Sequence, residues 1–427
     1  MKVIKKTMIG CLAILTSSPT IAAEIDFGAK VRVRAEHVEA ALGRAKGKTG
    51  NWVSQQTRLE TKAKNDEGLS AFLQLQDVRT WGGEDQSFPP PSVTGTGTSA
   101  SAKGLDFHQA YFTVNSFGME DLKLKAGRQE IVFDDARLVG NIGWIQNAQS
   151  FDALRLSYKG TGFDLDVVGA QVLADDTHPV LKPYTTAHDQ DSYFTAVHSS
   201  FKVGGGVVNP FVYTVSNPTR LKPGTDSDGN PNTVSIDSLQ TVGVFVKQTF
   251  GDTKLTFHGG SQSGNVSPTI SHSAYFAALA VAQKIVGSQV SLHYDVYSGD
   301  KDKTDNQSNA FNALYPTNHA YFGFIDNFLF TPNAGVTDTQ LRYGTKIGEK
   351  AKVGVHLHKF GTSPGSIDPG QDAGSEVDVT LKIKARKGLG YQFGLSKFTG
   401  AGSTNYGSTG NTTLDSTWAY VQTAVSF

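Results

Sequence analysis

Alternation of apolar and polar residues, renewed from one end of the chain to the other, limits this sequence more than any other feature. Lys30, Arg32, Arg34 and Glu36 share one face of the first run while Val31, Val33 and Ala35 take the other. Arg58, Glu60 and Lys62 then oppose Leu59, Thr61 and Ala63. Near the far end Glu376, Asp378, Lys382, Lys384 and Arg386 oppose Val377, Val379, Leu381, Ile383 and Ala385. A period of two belongs to strands with one apolar face, not to helices. About 17 or 18 such runs follow one another, roughly 22 residues apart, the spacing of antiparallel up-and-down topology. Tyr275 to Val286, almost wholly apolar, reads equally as a strand or a short helix.

Strands of a soluble sandwich turn their apolar faces inward, and roughly 400 residues would then need helices or several domains to cover them. Here the other face is charged in strand after strand, and apolar residues make up only 38% of the chain. A sheet closed in lipid accounts for both. Closure leaves no unpaired edge, the apolar face meets the bilayer, and the polar face encloses a lumen. No repeat of fixed length supports a propeller or solenoid. Beyond the N-terminal segment no apolar run reaches about 18 residues, which excludes membrane-spanning helices. The 39 basic and 39 acidic residues balance, so nothing marks a nucleic-acid partner.

The connections fall into two lengths. Asn65-Asp66-Glu67-Gly68, Lys159-Gly160-Thr161-Gly162 and Lys387-Gly388 are tight, whereas Gly82 to Gly104, Asp175 to Asp191, Asn217 to Asp237, Gly299 to Asp338 and Gly361 to Ser375 are long. Short periplasmic turns and long external loops are the habit of bacterial barrels, which makes the long segments loops of one domain. Lys2, Lys5 and Lys6, the apolar stretch Met8 to Leu15 and the small-residue site Thr20-Ile21-Ala22-Ala23 form a signal peptide over residues 1–23. Its removal leaves 24–427 as a single barrel domain without cysteine, since Cys11 lies in the leader. At the other end Ala419, Val421, Thr423, Val425 and Phe427 form one face. A terminal phenylalanine on an alternating strand resembles the signal read by the barrel assembly machinery. That machinery, outer-membrane lipid and lipopolysaccharide are the expected partners. Trp418 and Tyr420, with Tyr158, Tyr193 and Tyr391, suit interfacial girdles as well as ordinary strand positions.

Between Leu122 and Leu156 the alternation is interrupted. The interruption carries Arg128, Asp134, Asp135, Arg137, Trp144 and Gln146, far more polar and planar chemistry than a hairpin needs. Val132 to Ser150 is therefore either an element folded into the lumen or an outside loop. Several motifs here are recognisable: Gly127-Arg128-Gln129-Glu130, Asp135-Ala136-Arg137-Leu138-Val139-Gly140, Trp144 with Gln146, and Phe151-Asp152-Ala153-Leu154-Arg155-Leu156. With Leu75-Gln76-Asp77-Val78-Arg79-Thr80-Trp81-Gly82 upstream, and Phe311, Leu314-Tyr315-Pro316-Thr317-Asn318-His319 and Gly323-Phe324-Ile325-Asp326 downstream, the chain resembles the alginate export family of bacterial outer-membrane barrels. The resemblance implies a monomeric barrel of about 18 strands with a positively charged lumen. In the best-known members it passes a polyuronate out of the cell, and other members are general porins. By matching motifs, Arg79, Arg128, Arg137 and Arg155 are carried over as lumen or constriction residues. Strict alternation sets Arg128 on the face of Leu122 and Leu124, so it reaches the lumen only if the strand bulges near Gly127.

Alternation alone places further basic residues inside: Arg32, Arg34, Arg58, Arg155, Arg342, Lys352 and Arg386 lie opposite the apolar faces, where basic residues outnumber acidic ones. Acidic residues gather in the loops instead, among them Glu84, Asp85, Asp175, Asp176, Asp368 and Asp372. A basic channel concentrates anions, and the planar fork of arginine suits carboxylates. The expected function is a passive outer-membrane pore for anionic solutes, acidic oligo- or polysaccharide first. A general non-selective diffusion porin, its charges paired across strands, is the alternative. A loop-mediated adhesin or receptor and an outer-membrane hydrolase rank below. No chemical step and no cofactor are expected. Gly361-Thr362-Ser363-Pro364-Gly365 has the G-x-S-x-G spacing without the helix that gives it meaning. His356 and His358 alternate on one face and could share a metal, though such pairs ordinarily line a wall. Asp300, Asp302 and Asp305, and separately Asp226, Asp228 and Asn230, have the oxygen density of a loop-bound calcium site but not the spacing of an EF-hand. Solvation is the ordinary state of such loops.

Overall fold

The computed structural model describes residues 23–41, 48–81, 104–173, 192–216, 219–225, 231–235, 238–267, 270–302, 304–328, 331–406, 411–413 and 415–427. The expected signal peptide and the Asp226, Asp228, Asn230 cluster lie outside the described residues. Eighteen antiparallel strands close into one barrel. They are β1 Glu24–Ala41, β2 Lys48–Lys64, β3 Leu69–Thr80, β4 Gly104–Val114, β5 Leu122–Gln129, β6 Phe151–Lys159, β7 Phe163–Leu173, β8 Ser192–Val203 and β9 Gly206–Ser216. The second half comprises β10 Ser238–Phe250, β11 Thr253–Ser267, β12 Ile270–Ile285, β13 Ser288–Tyr297, β14 Val336–Ile347, β15 Ala351–Gly361, β16 Asp372–Arg386, β17 Leu389–Gly400 and β18 Ser416–Ser426. Each strand pairs with the next. Closure comes from β18 on β1, with Val425 opposite Val31 and Val421 opposite Ala35. The apolar stretch at Tyr275 resolves as strand, because β12 needs both neighbours' hydrogen bonds and a helix would leave them unpaired.

Alternation decides what each face meets. Leu59, Leu154 and Leu292 are 53%, 60% and 61% exposed on the outer wall, as side chains in lipid must be. Glu24 and Phe427 lie at the barrel end that carries the tight turns, such as Asn65–Gly68 and Lys387–Gly388. The opposite end carries the long connections, and two of these do not stay outside. The chain between β5 and β6 and the chain between β13 and β14 both turn into the lumen. There they meet the inner faces of nearly every strand.

Candidate functional site

The first inward segment crosses the lumen from wall to wall. At one end Arg32 Nε donates to Gln146 Oε1 at 2.8 Å, and its two terminal nitrogens donate to the Gly143 and Ile145 carbonyls at 2.7 Å. Gln146 Nε2 donates to Ser54 Oγ at 2.9 Å and Gln76 Nε2 to the Asn147 carbonyl at 2.8 Å, so β1, β2 and β3 hold this end. At the other end Asp134 pairs with His198 at 3.0 Å and accepts from Asn209 at 2.6 Å. Asp135 lies 2.9 Å from His258, and Arg137 forms an ion pair with Asp295 at 3.1 Å, so β8, β9, β11 and β13 hold the far end. Burial works against ionisation of Asp135, but His258 and Arg137 outweigh it and hold its carboxyl down at about 2. Four residues other than glycine take left-handed backbone here, Asp134 (φ 53°), Ala136 (62°), Ile142 (46°) and Ala148 (55°). Each costs on the order of 1 kcal/mol, a strain that persists because anchors on both walls over-determine the path.

The second inward segment is zipped to the first. Gly140 N donates to the Tyr315 carbonyl and Tyr315 N to the Leu138 carbonyl, a single parallel bridge with Val139 opposite Tyr315, and Thr317 N donates to the Ala136 carbonyl, each at 2.9 Å. Gly140 is required for this approach, since a Cβ there would stand 2.3 Å from Thr317 Oγ1. Trp144 sits at the junction. His319 stacks on it at 4.3 Å, the Arg34 guanidinium lies 4.1 Å over its ring, and Trp418 and Tyr420 meet it edge-on at 5.6 and 5.0 Å. The loop half of the lumen is thus a packed core around Ile131, Phe133, Leu138, Phe311, Leu314, Phe322 and Phe328. Alternation alone did not reveal this core. Its signal was present, because the inner positions nearest the long loops are themselves aromatic: Phe194, Phe211, Phe276, Tyr297, Phe360, Phe398 and Trp418. Trp418 and Tyr420 are buried on this inner side, and so take no part in an interfacial girdle.

The register sorts the residues singled out in the sequence. Arg32, Arg34, Arg58, Arg155, Arg342 and Lys352 fall on inner-face positions, Arg386 lies beyond a register shift at the end of β16, and Arg137 is buried in the first inward segment. Arg79 and Arg128 correct the expectation. Arg79 lies on the outer face, 67% exposed in its side chain and 2.7 Å from Asp77. Arg128 keeps the face of Leu122 and Leu124 and clasps Asp152 on the neighbouring strand with two hydrogen bonds of 2.8 Å. Gly127, at φ 118°, tightens the strand without shifting its parity. The inner arginines are also largely committed to protein partners. Arg34 pairs with Glu36 at 3.1 Å, Arg58 donates to Gln76 Oε1 at 2.7 Å, Arg155 clasps Asp166 at 2.8 Å, and Arg342 Nη2 donates to the Ala320 carbonyl at 3.1 Å. Asp300, Asp302 and Asp305 each accept a backbone N–H of their own loop.

Nearer the short-turn end the lumen changes character. Lys346 stands directly opposite Lys352, and Lys352 directly opposite Lys382, a row of three across β14, β15 and β16 with Lys384 and Arg386 following on β16. None of the five has a carboxylate within ion-pair distance among the described residues. The lumen therefore runs from a basic vestibule to an aromatic constriction.

A closed eighteen-strand barrel with a lipid-facing wall and an inward constriction is the architecture of outer-membrane porins. A profile of the family described as "Alginate export" matches residues 23–363, and the chain belongs to that family. No curated protein matches the sequence significantly. Among solved structures the chain is similar to two Pseudomonas aeruginosa channels. OccK2 (OpdF) is 12% identical, with 95% of this chain and 98% of that one covered and a TM-score of 0.58. OccK10 (OpdN) is 11% identical, with 94% and 99% covered and a TM-score of 0.58. A second structure of OccK2, in complex with glucuronate, is 14% identical, with 94% and 98% covered and a TM-score of 0.55.

Proposed function

We propose that this outer-membrane channel passes carboxylated solutes, acidic mono- and oligosaccharides foremost, by passive diffusion as a monomer. The observation that carries the reading is the lysine row. Like charges directly opposite across strands destabilise a sheet, so Lys346, Lys352 and Lys382 work against the wall that holds them unless an anion passes over them. A row of ammonium groups on a low-dielectric wall raises the local anion concentration, while solvated lysines bind weakly enough to release. The glucuronate complex of OccK2, a carboxylated sugar in a barrel of like fold, agrees with that solute class. The committed arginines have a different part. They fix the constriction that the solute must pass, and the lysines supply the attraction.

The test is reversal potential in a planar bilayer under a KCl gradient, with an oligouronate then added to one side. Wild type is expected to favour chloride and to be blocked by the oligouronate. Replacing Lys346, Lys352 and Lys382 together by glutamine should abolish most of the preference and weaken block several-fold, while the barrel stays closed. A reversal potential unmoved by the triple replacement, or no block at all, would leave a general diffusion porin.

A further inference from the structure

Beside the constriction the inner wall buries a cluster of carboxylates and imidazoles. Across β14, β15 and β16 the register sets His356 opposite Asp378 and His358 opposite Glu376, all on the inner face. Asp338, Glu376 and Asp378 are 0%, 1% and 1% exposed, and His358 is 4% exposed. Asp338 and Asp378 flank the buried His358 imidazole, Gln340 Nε2 donates to Asp338 Oδ2 at 2.8 Å, and Glu376 lies beside Asp378.

The orientation of the groups is specific. His358 Nδ1 lies 2.8 Å from Asp338 Oδ2, which places the proton on Nδ1 and turns Nε2 toward Asp378 Oδ2 at 3.4 Å. His358 Nε2, His356 Nδ1, both oxygens of Asp378 and Oε2 of Glu376 are buried without a completed hydrogen bond. Ligand atoms of His356, His358 and Asp378 lie within 4.8 Å of one another. Ligands about 2.1 Å from a common tetrahedral centre stand roughly 3.4 Å apart, a separation that small side-chain rotations reach. A carboxylate behind the far nitrogen of a histidine is also the arrangement that orients metal-bound imidazole.

We propose that His356, His358 and Asp378 bind a divalent transition-metal ion of the zinc class, with Asp338 positioning His358 from behind. Two imidazole nitrogens and one carboxylate are the donors such an ion takes. The ion would tie β15 to β16 directly beneath the second inward segment, where Ile325 N donates to Glu376 Oε1 at 2.9 Å and the Phe324 ring lies 5.3 Å from His356. The competing occupant of the same space is a proton, held by an imidazolium of His358 between Asp338 and Asp378. That arrangement gives His356 no part.

The experiment uses the whole barrel, purified without a histidine tag in detergent, stripped with a chelator and titrated with Zn²⁺ and, separately, Co²⁺. Binding is read by metal analysis and calorimetry, coordination by the visible bands of Co²⁺, and folding by heat-modifiable migration in gels. The expected result is one equivalent of Zn²⁺ and a four-coordinate Co²⁺ spectrum. His356→Ala and Asp378→Asn should each weaken binding at least about tenfold, and Asp338→Asn by roughly 10- to 100-fold. His356→Gln keeps volume and polarity and serves if a bolder change prevents folding. No stoichiometric uptake, or uptake indifferent to His356 and Asp378, would overturn the site and leave the imidazolium clamp.

Discussion

Trp144 shows how much one side chain settles in this lumen. Its indole is held by His319, Arg34, Trp418 and Tyr420, so three separate elements, the second inward segment, β1 and β18, agree on where the first inward segment ends. Aromatic contacts of this kind contribute about 0.5–1.5 kcal/mol each beyond the area they bury. Trp144→Ala is accordingly expected to raise single-channel conductance and current noise without preventing assembly, and an unchanged conductance trace would refute its role as the junction. Arg137 is a different case. It faces Asp295 at 3.1 Å with both side chains almost wholly buried, and lies 3.9 Å over the Tyr321 ring. Removing it strands a buried carboxylate, so Arg137→Ala should weaken docking of the segment by about 3–5 kcal/mol. Arg137→Lys should recover only part, because an ammonium cannot both pair and stack. Accelerated proteolysis at residues 131–150 is the measure. Both residues were visible in the sequence as unusual occupants of an unpatterned stretch, but the wall and second-segment partners His319, Trp418, Asp295 and Tyr321 were more than 100 positions away in the chain, where no local pattern reaches.

At the scale of elements, the constriction is a pair of loops made rigid by one another. The bridge between Val139 and Tyr315 predicts that cysteines at these two positions, in a chain whose only native cysteine is Cys11, form a disulfide on oxidation. Conductance should then become quiet and fixed, and reduction should restore fluctuation; a doubly substituted channel indifferent to oxidation would mean that the two segments do not stay zipped. Acid tests the same element from its anchor. Because the folded value of Asp135 lies below its ordinary value, its contribution to docking is present above the ordinary carboxylate range and disappears as pH falls through about 2. The difference corresponds to roughly 2 kcal/mol. The constriction should therefore survive acidification from pH 7 to 4 with no step in conductance from this anchor, whereas Asp135→Asn should loosen it already at neutral pH.

For the molecule as a whole, Phe427 offers a test of whether stability and assembly are separable. Its ring is 87% exposed at the end of β18, and only its backbone is tied down, Phe427 N donating to the Ala29 carbonyl at 2.9 Å. Phe427→Ala should leave refolding in detergent unchanged while lowering the amount that reaches the outer membrane in cells, as read by fractionation. Equal losses in both settings would assign the ring a structural part instead.

Strand number, closure and the lipid-facing wall were all legible in the sequence, because a period of two is a local property and every strand states it independently. The same parity, followed strictly, already kept Arg128 on the outer wall; the motif match alone had carried it, with Arg79, into the lumen. What only the tertiary structure decided is the path of the two long connections. Their order comes from contacts between residues far apart in sequence, Arg32 with Gln146, Asp135 with His258, Gly140 with Tyr315, and no period in the chain can encode a partner on the opposite wall. For the same reason the sequence could mark His356 and His358 as neighbours on one face, yet only the register of three strands brought Asp338 and Asp378 around them.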